Sequence, residues 1–267
     1  MTVAPGSSMS ALVGHSANLP GVVNLDLVRR LEAAAVRGWP ATIERMDPGG
    51  WLLRATPGLD RGRSNNALTP CRELDAAEIG RAIERVRGFA REYSIRPGIQ
   101  VSPLALHGRL QRELDQRGWQ TQWPTLVLTG PAGGGPQAGE RRVQVSDQVS
   151  AEWLAAWARC EPGRDVNAHA RTVFALLRGR ACFARIGTDA VGIAVQSNGL
   201  AGMFCVAVDP SLRGGGLGTA LVRALLGRSD AELAYLQVEE GNEAARAMYA
   251  RLGFSEIYRY CHRVGGG

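Results

Sequence analysis

Apolar residues recur along this chain at two spacings, and the spacing predicts its elements. Leu27, Leu31 and Ala35 fall every fourth position, which predicts a helix over 24–37 ending at Gly38. Strands over 42–46 and 51–55 flank Asp47-Pro48-Gly49-Gly50, a hairpin turn. Asp75 and Glu78 make a capping-box start for a helix that carries Ile79, Ile83, Val86 and Ala90 inward. A strand near 99–102, a helix over 104–116 and a strand over 120–129 complete the first half. The second half predicts a strand at 142–145, helices around 151–158 and 166–177, and strands at 181–186 and 191–196. A strand around Cys205, Val206, Ala207 and Val208, read as buried, is ended by Pro210. A helix marked by Leu217, Leu221 and Leu225, a strand over 233–238, a helix from Asn242 to Gly253 and a closing strand over 254–264 follow.

Between the two halves, residues 130–139 read GPAGGGPQAG, the composition of a linker. Residues 1–20, rich in Ser, Gly and Ala, predict disorder. At 267 residues the chain suits two domains, and its 45% hydrophobic content is enough for a packed core.

The glycine cluster after Pro210 carries the most chemistry. The first four N–H groups of a helix lack intrahelical partners and sit at the positive end of its dipole, which favours phosphate. Gly214, Gly215, Gly216 and Gly218 let that backbone approach a ligand, and Arg213 adds a fixed positive fork. A Walker A loop is excluded because the chain has no lysine, all 31 basic residues being arginine. A dinucleotide G-x-G-x-x-G fails at Thr219 and at Leu221. Arg213-x-x-Gly216-x-Gly218 remains. This segment resembles motif A of the GNAT (GCN5-related) N-acetyltransferases, and Asn242-x-x-Ala245-x-x-x-Tyr249-x-x-x-Gly253-Phe254 is similar to their motif B.

The resemblance implies a mixed α/β (α+β) sheet of the GNAT fold and an enzyme that moves an acetyl group from acetyl-CoA to a primary amine. It implies that Val206, Ala207 and Val208 pair with the pantetheine arm, and that the amides from Arg213 through Leu217 and Gly218 to Thr219 hold the pyrophosphate. Asn242 and Tyr249 would face the pantetheine and thiol. Tyr249 would protonate the departing thiolate, an amide near Val208 would support the oxyanion, and a carboxylate would take the amine's proton. Glu239 is favoured over Glu240 for that last role, since strand alternation points only one of them inward. Asp209 reads as a turn residue.

Setting Gly118 on Gly253 aligns HGRLQRELDQRGWQTQW with NEAARAMYARLGFSEIY, with His107 at the place of Asn242 and Leu114 at that of Tyr249. The first half, 21–130, therefore reads as a degenerate copy without the cofactor loop, joined through 131–140 to a catalytic half, 141–267; an unrelated small α/β domain is the alternative. The acceptor is expected to be a small-molecule amine, in a cleft around 153–165 with whatever the first half adds. Trp153 and Trp157 would line it or pack in the core, and Arg164 or Arg171 would hold an acceptor carboxylate. An acyl-CoA sensor without catalysis and a protein or peptide acetyltransferase are the rival readings.

Net charge is +6, but the arginines are scattered and do not run together with aromatics, so neither a nucleic-acid nor a membrane partner is expected. Five cysteines without C-x-x-C spacing give no disulfide framework and no metal site. With no signal-peptide layout and no long apolar run, a cytoplasmic protein is expected, monomeric or homodimeric.

Overall fold

The computed structural model describes residues 23–133, 143–163 and 165–266. The expected disordered segment 1–20, residues 134–140 of the linker, Arg164 and the His107 side chain lie outside the described residues. The first half runs α1 (Leu25–Gly38), β1 (Ile43–Met46), β2 (Leu52–Ala55), β3 (Asn66–Leu68), α2 (Ala76–Glu92), β4 (Gly98–Val101), α3 (Arg109–Gln116) and β5 (Gln120–Pro131). The second runs β6 (Gln144–Ser146), α4 (Ala151–Cys160), α5 (Val166–Thr172), β7 (Arg180–Ile186), β8 (Ala190–Ser197), β9 (Leu200–Val208), α6 (Leu217–Leu226), β10 (Leu233–Glu239), α7 (Glu243–Arg251) and β11 (Ser255–Val264).

All these strands form one mixed sheet in the order β1-β2-β3-β4-β11-β5-β10-β9-β8-β7-β6. The halves exchange their last strands. β5 pairs antiparallel with β10, β11 pairs antiparallel with β4, and β5 and β11 pair with each other at the centre. Each exchanged strand closes an edge that its neighbour's half would otherwise leave unpaired.

The repeat seen in the sequence holds in three dimensions. Gly118 and Gly253 both take positive φ, +71° and +85°. The Trp119 N–H donates to the Leu114 carbonyl and the Phe254 N–H to the Tyr249 carbonyl, each at 3.0 Å, so α3 and α7 end with the same cap. Leu114 and Tyr249 are both buried.

Alternation along β10 defines two faces. Tyr235 joins the core under α1, α4 and α5, whereas Ala234, Leu236 and Val238 join the core under α6 and α7. A third core lies between α2, α3 and the first-half strands, with Ile83 and Leu114 at its centre.

Local expectations largely hold, with corrections: the helix expected over 104–116 starts only at Arg109, after a 3-10 turn over Leu106–Gly108, and the one expected over 166–177 stops at Thr172, before a 3-10 turn over Phe174–Leu176. On α1 the buried stripe is Val28, Leu31, Glu32 and Ala34, while Leu27 and Ala35 are only half-buried; the glutamate inside the stripe disguises its register. Strand β3, three residues long, gives no periodicity to read. The Asp47 turn and the Asp75–Glu78 capping box form as expected, the latter with both reciprocal bonds.

Candidate functional site

Strands β9 and β10 run parallel and share register from Leu200–Leu233 to Met203–Leu236, and there the pairing stops. Beyond it β9 stays with β8, through Ala207–Val191 and Val208–Ala190, and β10 stays with β5, through Gln237–Val127 and Glu239–Thr125. A gap therefore opens between Val206–Val208 on one side and Gln237–Glu239 on the other, with strand backbone on both edges. A bulge drives the divergence: Cys205 sits at φ +51°, and β9 carries one more residue than β8 between the Phe204–Ile193 and Ala207–Val191 pairs. The expectation of a buried strand fails here. Cys205, Val206, Ala207 and Val208 are half-buried because β10 has turned away from them.

The loop after β9 leads to α6. Asp209 is the turn residue expected: its Oδ1 accepts from Ser211 N and Oγ, and its Oδ2 from Arg159 Nε at 2.6 Å. Those bonds, the Ser211 hydroxyl first, hold its carboxyl at a pKa of about 2. Gly214 and Gly216 take φ +81° and +80°, the left-handed region that favours glycine. Gly216 is the N-cap of α6 and brings no side-chain cap to the helix. The Ala220 N–H is bonded to the Gly216 carbonyl, which leaves the amides of Leu217, Gly218 and Thr219 in the uncapped first turn. Gly218 has another reason to be glycine, since a Cβ there would lie 2.9 Å from Met248 Sδ. Helix α7 thus packs against the start of α6, bringing the two sequence motifs together. Arg213 is exposed, with Nε 3.4 Å from the Val208 carbonyl at the mouth of the gap.

On α7, Asn242 is the N-cap, and its Oδ1 accepts from Ala245 N at 3.1 Å. Its carboxamide NH2 is the group left to reach outward. Tyr249 packs edge-to-face on Phe254 in the core under α6 and α7, and burial pushes its phenol well above the ordinary range.

On the opposite face a cavity of about 340 Å³ adjoins the C-terminal end of β10. Glu239 and Gln237 line it, and the Tyr260 hydroxyl, also in its wall, donates to Gln237 Oε1 at 3.3 Å. Glu240 instead accepts from Arg259. Of the two carboxylates weighed in the sequence, Glu239 is the one that lines the cavity, with an exposed side chain, and Glu240 is half-buried. Trp153 and Trp157 are 2% and 0% exposed and pack with Phe174 and His169, so they form core and not cleft wall. Arg171 stands exposed on α5.

Much of the cavity comes from residues the sequence did not suggest. The loop before β3 contributes Asp60, Arg61, Gly62 and Arg63, while β5 and β11 contribute Trp123 and His262. Burial, with Arg63 and Arg54 nearby, lowers His262 to about 4, so its ring is neutral at neutral pH. Only the three-dimensional exchange of β5 and β11 brings these residues beside Glu239. Among the described residues no group of three or more His, Cys, Asp or Glu is placed to hold a metal.

The family model described as "Probable histone acetyltransferase Rv0428c C-terminal" matches residues 26–263. The N-alpha-acetyltransferase RimI of Mycobacterium tuberculosis is 38% identical over 63 residues, which is 23% of this chain and only 40% of that relative. The uncharacterized N-acetyltransferase YobR of Bacillus subtilis is 24% identical over 252 residues, covering 90% of this chain and 99% of YobR. In structure, a GCN5-related N-acetyltransferase from Kribbella flavida superposes with a TM-score of 0.67 at 19% identity, over 91% of this chain and 95% of that one.

Proposed function

The chain belongs to the acetyltransferase family matched over residues 26–263, and we propose that it moves the acetyl group of acetyl-CoA to the primary amine of a small molecule within a ternary complex. The observation that carries this reading is the gap between β9 and β10, which ends at an uncapped helix start with Arg213 beside it. The residues present fit the cosubstrate. Unpaired strand edges suit an extended amide-bearing arm, and the loop amides with Arg213 suit a pyrophosphate. The first half supplies a contrast, because α2 starts under its own Asp75 carboxylate, which would repel a phosphate there.

Acetyl-CoA supplies an acyl thioester ready for attack by an amine. Val206, Ala207 and Val208 bind its arm, and the amides from Gly214 through Gly216, Leu217 and Gly218 to Thr219 bind its phosphates, with the Gly215 N–H giving up its 3.4 Å bond to the Leu212 carbonyl. Asn242 reaches the arm with its free NH2. Tyr249, protonated at neutral pH, gives its proton to the leaving sulfur. Glu239 takes the proton of the incoming ammonium from the other face. The half 21–130 then acts as scaffold and cleft wall, and 141–267 carries the transfer chemistry. Five free cysteines suit a reducing cytoplasm.

The test is thiol release from acetyl-CoA with amino acids, aminoglycosides, polyamines and peptides as acceptors. Release with small amines supports the reading. Release with peptides alone would move the acceptor to a protein or peptide amine, and acetyl-CoA binding without release would mean a sensor.

A further inference from the structure

Arg63 is a cation in the acceptor cavity with its charge turned to no carboxylate. Arg54 Nη1 donates to the Arg63 carbonyl at 2.9 Å and fixes its backbone. Its guanidinium lies 5.5 Å from the Trp39 ring and 5.8 Å from the Phe204 ring, so aromatic faces hold it at the root of the gap. Among the described residues no acidic side chain forms a salt bridge with it, whereas its neighbour Arg61 is matched with Glu161 at 3.7 Å. The cosubstrate phosphates do not account for Arg63, because the loop that suits them starts α6, on the opposite face of the sheet.

Glu239 and Arg63 line the same cavity. In the sheet Glu239 pairs with Thr125, and Thr125 pairs with Tyr260, so these three stand in one row across β10, β5 and β11. One end offers a carboxylate for an ammonium, and Arg63, above Phe204, offers a planar fork for a carboxylate.

We propose that the acceptor is an amine that also carries a free carboxylate, an amino-acid-like zwitterion whose carboxylate is held by Arg63 while Glu239 receives its amine. This rests on the acetyl-transfer reading above. Arg63 is then a specificity-determining residue, and a carboxamide, a decarboxylated amine or a carboxy-amidated peptide lacks the group it binds. The adjoining cavity of about 350 Å³, with Leu59, Ile95, Trp123 and Val264 in its wall, receives the side chain of such an acceptor.

The experiment measures thiol release by the full chain with each of the twenty amino acids, then compares every substrate found with its carboxamide, its decarboxylated amine and a carboxy-amidated tripeptide beginning with the same residue. The expected result is a kcat/KM at least tenfold higher for the free acid than for the other three. Arg63→Gln should collapse the acid-to-amide ratio toward one, and Arg63→Lys should restore part of it, a ratio that a merely destabilised fold would not change. Equal or better turnover of the amide, amine, peptide or a diamine by the native protein overturns this proposal and leaves acetyl transfer standing. Equal losses on acid and amide in Arg63→Gln overturn it too. No thiol release with any acceptor would bring down the acetyl-transfer reading itself.

Discussion

A Cβ added at Gly218 would sit 2.9 Å from the sulfur of Met248, so the start of α6 and the middle of α7 touch with no room for a side chain between them. That contact links the loop after β9 to the helix carrying Tyr249. Gly218→Ala asks only a small shift of a flexible thioether, but Gly218→Val overpacks the site and is expected to cost about 1–3 kcal/mol. Urea unfolding of Gly218→Val, Met248→Ala and the double variant should show a favourable coupling, the smaller residue 248 relieving much of the valine's cost.

Arg213 is exposed, so removing its charge leaves the core alone. Arg213→Gln is expected to weaken acetyl-CoA binding by about tenfold, or roughly 1.4 kcal/mol, with the melting temperature unchanged. Calorimetric titration and a thermal melt on the same sample check both halves of that statement.

Tyr249→Phe removes one hydroxyl from a buried ring that keeps its packing against Phe254. Turnover is expected to fall by about 10²-fold or more, as for loss of a general acid, with acetyl-CoA affinity nearly intact. Unchanged turnover would remove Tyr249 from the chemistry and leave it a packing residue.

Glu32 is 7% exposed on the inner stripe of α1, and burial pushes its carboxyl to about 7 against the opposing hydrogen bonds from Ser102 and Gln100. Its folded pKa is raised above the unfolded value, so between about 4.5 and 7 the folded state holds the proton that the unfolded chain releases. Stability from this group is therefore present at low pH and lost as pH rises to 7, by up to about 3 kcal/mol. His262, lowered to about 4, acts oppositely between 4 and 6.5. The difference between the native protein and Glu32→Gln isolates the glutamate: chemical unfolding should find the glutamine variant the more stable at pH 8, with the advantage fading by pH 5.

The features that reveal themselves in sequence are those written in local chemistry. Asp75 and Glu78 announce a capping box, Asp47-Pro48-Gly49-Gly50 a turn, and Arg213 to Thr219 a glycine-rich entry into a helix, because each depends on residues within one or two turns of each other. The bulge at Cys205 leaves no such trace, since a cysteine at positive φ is held there by the strands around it. The exchange of β5 and β11 is equally silent: both read as strands closing their own halves, and only pairing shows that each closes the other. The cavity beside Glu239 follows from that exchange. Arg63 and Trp123 are distant from motifs A and B along the chain, and His262 follows motif B on a strand whose partners only the fold reveals; of the two uses open to Trp153 and Trp157, core packing is the one they have.

The central claim is that the β9–β10 gap and the loop after it hold the acyl carrier, and amide hydrogen exchange with and without acetyl-CoA tests it most directly. Protection is expected at Val206, Val208 and the amides from Gly214 to Thr219, with none gained at the start of α2. No change at those amides, or protection appearing at Glu78 and its neighbours instead, would contradict it.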